Sequence, residues 1–164
     1  MISKKIQDAF NKQINAELYS GYMYLSMAAC FEADNLPGFA QWMKVQALEE
    51  RAHAMKFFAH VNERGGRVKL AAIDGPPVEW DSPLAIFKAA YEHEQKVTAM
   101  INALVDLAAK EKDHAAGAFL QWFVNEQVEE EASADEVVQM LKRVKNSPGP
   151  LLMVDRQLAQ RGAG

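Results

Sequence analysis

A chain of 164 residues, 49% hydrophobic and 24% charged, has the composition of a soluble globular protein, and one domain over 1–164 is expected. A formal net charge of −4 argues against a nucleic-acid binder with a basic surface, and the one cysteine, Cys30, excludes an internal disulfide. No apolar run approaches the ~20 residues of a membrane span, and the first residues turn polar without an apolar leader, so a cytoplasmic setting off the membrane is expected.

Glycine and proline punctuate the chain. Residues 4–32 hold one glycine and no proline and predict a first helix. Asp34-Asn35-Leu36-Pro37-Gly38 reads as a turn with Pro37 at a helix start. A second helix over 38–64 is stopped by Gly65-Gly66. Residues 66–82 read as loop and end in a helix cap at Asp81-Ser82-Pro83. Third and fourth helices are predicted over 83–110 and 114–145. Asn146-Ser147-Pro148-Gly149-Pro150 is a break, after which 151–160 predicts a short fifth helix. Its apolar face, Leu151, Val154 and Leu158, needs a partner. Cys30 is expected as a small buried apolar residue, and His60, His93 and His114 as surface or hydrogen-bonded histidines.

Connection lengths set the topology. The short first and third connections make antiparallel pairs. The stretch 66–82 reaches about 56 Å if extended, more than the ~42 Å of a ~28-residue helix. Helices two and three can therefore run parallel. The fold class is all-α, a four-helix bundle with one long crossover and a short fifth helix.

Placing each helix on a heptad exposes an anomaly. The inward rows are Phe10, Glu17, Tyr24, Phe31; Met43, Glu50, Phe57; Phe87, Glu94, Ile101; and Phe123, Glu130, Val137. Each helix puts one glutamate on its apolar face, near its middle. Buried unpaired carboxylates are costly and repel one another. No comparable set of inward Lys or Arg offsets them, whereas two divalent cations would. His53 follows Glu50 at i+3 and shares its face. Oxygen ligands with one imidazole suit iron or manganese. A lone inward glutamate is commonly a protonated or partly exposed residue; four at matching depth, with Glu50-x-x-His53, point to a metal site.

These residues bear a specific resemblance. Asn15-Ala16-Glu17-Leu18-Tyr19, Glu49-Glu50-Arg51-Ala52-His53-Ala54, Glu94, and the run Gln121-Trp122-Phe123-Val124-Asn125-Glu126-Gln127-Val128-Glu129-Glu130-Glu131 resemble the bacterial non-haem ferritins over essentially the whole chain. The resemblance implies a first iron site of Glu17, Glu50 and His53, with Glu50 bridging to a second completed by Glu94 and Glu130, and Gln127 beside it. It implies a third iron site at Glu49, Glu126 and Glu129. It further implies ferroxidase activity with Fe(II) and O2 or H2O2 as substrates, and storage of ferric mineral in a shell of 24 subunits.

Departures from related families are informative. Where bacterioferritins and rubrerythrins carry a second Glu-x-x-His, the fourth helix reads Gln127-Val128-Glu129-Glu130. Arg51 stands where bacterioferritins place a haem-ligating methionine, so no haem is expected. Tyr24 is either a hydrogen-bonding or electron-donating neighbour of the site or a core aromatic with a satisfied hydroxyl. Gln127 either orients a ligand or packs as a plain amide. The alternatives to iron storage are a di-iron peroxidase or oxygenase with a retained cofactor, and a bundle whose acids bind nothing. Only one acid lies within 113–121, so an acidic entry pore there is not expected.

Overall fold

The computed structural model describes residues 1–145 and 147–162. Among them are five helices and no strand: α1 (Lys4–Ala33), α2 (Pro37–Glu63), α3 (Pro83–Lys110), α4 (His114–Val144) and α5 (Pro148–Leu158). The expected bundle with a long crossover and a fifth helix is borne out, with the four long helices bounded within about a residue of expectation.

The helix starts have identifiable causes. The side chains of Ser3, Ser82 and Asp113 accept the backbone N–H groups of Ile6, Ala85 and Ala116. Three turns use a left-handed residue to end a helix, at Asn35, Gly65 and Lys112. α5 has no side-chain cap at Ser147, and neither has α2, where Leu36 stands at the N-cap. The cap of α2 comes from α5: Asp155 Oδ1 accepts from Gly38 N at 2.8 Å and Phe39 N at 2.9 Å. A Cβ on Gly38 would stand 1.7 Å from the Asp155 carbonyl oxygen, so glycine permits this approach.

α5 departs from expectation at its start. It begins at Pro148 rather than after 150; Pro148 and Pro150 both fall in the first turn, where the missing N–H has no helical partner to lose. The remaining residue of the expected break, Asn146, lies outside the described residues. The apolar face of α5, expected to need a partner, finds one within the chain. Val154 and Leu158 are buried, and Leu151 packs against the same core. Cys30 is half-buried rather than buried.

The crossover is strapped lengthwise to α1. Gln7 Oε1 accepts from Arg67 N, Asn11 bonds the backbone of Arg67 and Lys69, Asn15 donates to the carbonyl of Ala72, and Ser26 donates to that of Pro77. The ladder ascends α1 as the crossover ascends in sequence, so α3 starts beside the C-terminal end of α1 and runs parallel to α2. Phe31, Phe39 and Phe87 accordingly meet at one end. Phe10, Phe57, Phe119 and Phe123 meet at the other. These two apolar clusters are distinct, and the glutamates lie between them in the heptad rows.

Replacing Asp155 by alanine removes the cap of α2 and the anchor of α5. A loss of about 1–2 kcal/mol is expected in denaturant unfolding, with Asp155→Asn losing less because its oxygen still accepts. Equal stability of Asp155→Ala and the parent chain would contradict the assignment.

Candidate metal centre

All four inward glutamates are buried, at 1% exposure for Glu17, 2% for Glu50, 1% for Glu94 and 5% for Glu130. Every other member of the four inward rows is buried as well. The heptad places them inside, and the position of each near the middle of its helix brings them to one level. Two groups of possible ligand atoms share Glu50: Glu17 with Glu50 and His53, and Glu50 with Glu94 and Glu130. Within each, the atoms lie within 4.8 Å of one another. A third group joins His53, Glu126 and Glu130.

The hydrogen-bond donors around these acids are mostly neutral. Gln13 donates to Glu17 Oε1 at 2.9 Å. Gln46 donates to Glu50 Oε1 at 3.0 Å and to Glu130 Oε2 at 2.7 Å. Gln127 donates to Glu94 Oε2 at 3.2 Å and to the hydroxyl of Thr98, also at 3.2 Å. Thr98 in turn donates to Glu131. Tyr24, fully buried, donates its phenolic O–H to Glu94 Oε1. Amides and a phenol orient carboxylates without cancelling their charge. Among the described residues no lysine or arginine is buried. Glu17 Oε2 is buried without any partner. An orphaned acceptor oxygen, in a ligand group with Glu50 and His53, fits a cation ligand.

His53 stands between acids: Nδ1 is 3.6 Å from Glu50 Oε2 and Nε2 is 3.7 Å from Glu126 Oε1. Its ring packs edge-on to Trp122 and Phe123, which fixes its plane. Of the carboxylates expected at a third iron site, Glu126 joins a ligand group, whereas Glu49 and Glu129 do not among the described residues. Glu49 is taken up by Arg161 and Glu129 is exposed. Of the other histidines, His93 is hydrogen-bonded to Ser20 at 2.7 Å, His60 stacks on Phe119, and His114 is exposed.

Burial dominates the electrostatics. It pushes the Glu17 carboxyl well above its ordinary range, helped by Glu50. It does the same to Glu50, with Glu94 and Glu130 adding repulsion. Glu94 is raised by burial despite the donors Tyr24 and Gln127. Glu130 is raised to about 7, by burial first and then by Glu94. The Tyr24 hydroxyl is raised well above its usual value by burial and by Glu94, and so holds its proton.

Against this geometry the comparisons are decisive. A ferritin-like domain model matches residues 7–144. The chain belongs to the ferritin family. A bacterial non-heme ferritin from Bacteroides fragilis is 46% identical over 161 residues, covering 98% of this chain and all of that protein. Another from Staphylococcus saprophyticus is 38% identical, covering 98% of this chain and 96% of that one. Among solved structures, an open pore ferritin from the hyperthermophilic archaeon Archaeoglobus fulgidus is 55% identical, with a TM-score of 0.96 and 96% of each chain covered. The resemblance to bacterial non-haem ferritins is thus borne out, as is the ferritin fold.

The sequence pattern alone did not single out Gln13, Gln46, Thr98 or Arg161. Gln13 and Gln46 each sit four residues before an inward glutamate, a repeated spacing that could have revealed them. No local signal marks Arg161.

Raised carboxyl values mean that the metal-free fold takes up protons that the unfolded chain releases. For Glu130 this stabilisation is complete below about 4.5 and lost as pH rises through about 7. His93, depressed to about 4 by burial and Lys96, works in the opposite sense, its contribution being lost as pH falls from 6.5. Melting curves therefore blend the two. Proton release on cation binding isolates the site. Calorimetry with Zn(II) in buffers of different ionisation enthalpy should show protons released at pH 6 and fewer at pH 8. Absence of release at pH 6 would contradict the assignment.

Proposed function

We propose that the chain, folded as a single ferritin-like domain, is an iron-storage subunit that oxidises Fe(II) to Fe(III) inside its own bundle. The carrying observation is the sharing of Glu50 between two buried ligand groups. In this reading Glu17, Glu50 and His53 bind the first Fe(II), and Glu50, Glu94 and Glu130 the second. Tyr24 and Gln127 hold Glu94, and Gln13 holds Glu17. Each iron gives up one electron. The pair reduces O2 to H2O2 with two protons, or H2O2 to water with two protons. Glu126 is the carboxylate best placed to take iron beyond the pair, with Glu49 and Glu129 as further members of a third site.

Carboxylate-dominated coordination suits transit rather than retention. Hard oxygen ligands bind both oxidation states and shift between terminal and bridging modes. A second Glu-x-x-His would make the site symmetric, as in cofactor-holding relatives; here Glu130 follows Gln127 at that spacing instead.

Self-assembly into a shell, with 24 copies as in the resemblance, is part of the proposal. It draws support from an apolar groove of about 440 Å³ lined by Leu18, Tyr22, Leu25, Ala47 and Leu48. Leu25 and Leu48 are 52% and 65% exposed in the single chain. No described helix is long and apolar enough to cross a membrane, and a cytoplasmic store fits that.

Aerobic Fe(II) titration with concurrent size measurement tests the proposal. Fast oxidation, then hundreds of iron atoms held in a large particle, is expected. Glu50→Ala removes a ligand from both groups and should slow the fast phase by about 100-fold or more. A monomer retaining roughly two irons would instead indicate a retained di-iron cofactor.

A further inference from the structure

One side chain reaches the carboxylate layer from the far end of the chain. Beyond α5 the backbone returns along α2, and Arg161 lies over the Trp42 ring with its guanidinium carbon 4.1 Å from the ring centroid. Its Nη1 donates to the Trp42 carbonyl at 3.4 Å, and Gln41 donates to the Arg161 carbonyl at 3.4 Å. Nη2 donates to Gln46 Oε1 at 2.7 Å and to Glu49 Oε2 at 2.5 Å. Arg161 is thereby seated on four residues of α2 rather than lying loose in solvent.

Gln46 is the link to the site. It is fully buried, and its amide has two unlike ends. A guanidinium only donates and an ionised carboxylate only accepts. The amide therefore sits one way round, with its oxygen to Arg161 and its nitrogen to Glu50 and Glu130. Turned over, it would aim an acceptor at two carboxylates and a donor at a guanidinium. Glu50 and Glu130 belong to one ligand group, and Gln46 bridges them.

We propose that Arg161 is a positioning residue for the metal centre. Acting through the Gln46 amide, it holds Glu50 and Glu130 in the arrangement that receives the second ion. The inference rests on the iron-site reading above. It explains why a cation is present beside the cluster yet leaves the acids uncancelled: its charge stands one amide away from them. Arginine suits the place because one planar group stacks on Trp42 and serves two acceptors at once. Docking of α5 through Asp155 thus also brings the residue that orients the centre.

The test uses the assembled full-length protein, stripped of metal and titrated with Co(II), whose visible absorption reports ligand geometry. Arg161→Met keeps the packing on Trp42 and removes the donors. It should weaken binding of the second Co(II) by about 10-fold and alter its spectrum, with particle size and helix content unchanged. Arg161→Lys, which restores one donor, should recover part of the affinity. Gln46→Leu should match Arg161→Met, and the double variant should be no weaker than Gln46→Leu alone, because one residue acts through the other. Parental Co(II) affinity and spectrum in Arg161→Met, with only a lower melting temperature, would overturn the inference and leave the iron site standing. Additive losses in the double variant would overturn the route through Gln46. Failure of the parent protein to bind Co(II) in the bundle would sink the iron-site reading itself, and the inference with it.

Discussion

Four carboxylates at one level of a helical bundle, with no lysine or arginine buried among the described residues to neutralise them, are the constraint on which the rest of the structure turns. Neutral donors surround them: three glutamine amides and the Tyr24 phenol. Such donors aim oxygens but leave charge in place, and in a dry interior that charge is expensive. Burial and mutual repulsion raise all four Glu carboxyls, which favours their protonated forms. Divalent cations at the proposed sites would offset that charge. The stability given up by the metal-free bundle is the counterpart of its capacity to bind.

The framework holds these acids level, each near the middle of its helix. α2 and α3 run parallel, joined by a connection that runs the length of the bundle. The amide side chains of Gln7, Asn11 and Asn15 hold that connection against α1 at successive turns. Apolar clusters close both ends, one around Phe31, Phe39 and Phe87, the other around Phe10, Phe57 and Phe123. Water is excluded from above and below while the polar layer stays between them.

Much of this was legible in the sequence because helix periodicity is local information. A seven-residue repeat returns to the same face, so the rows through Glu17, Glu50, Glu94 and Glu130 marked the inside and its exceptions together. What periodicity cannot carry is contact between distant segments. Asp155 capping Gly38 and Phe39, and Arg161 turning Gln46, join residues more than a hundred apart through an element whose register follows from tertiary packing. A different, local reason explains why Pro148-Gly149-Pro150 read as a break although α5 begins there: proline is punctuation in a helix interior but neutral in its first turn. The third-site acids sat between these cases. Glu126 meets His53, but Glu49 is held by an arginine that no local pattern announces.

Anomalous diffraction at the iron edge from crystals soaked anaerobically in Fe(II) addresses the central claim most directly. Two peaks per chain are predicted, one among Glu17, Glu50 and His53 and one among Glu50, Glu94 and Glu130, with a Glu50 oxygen beside each. A bundle interior without iron peaks, its glutamates still paired only with their amide donors, would contradict the account.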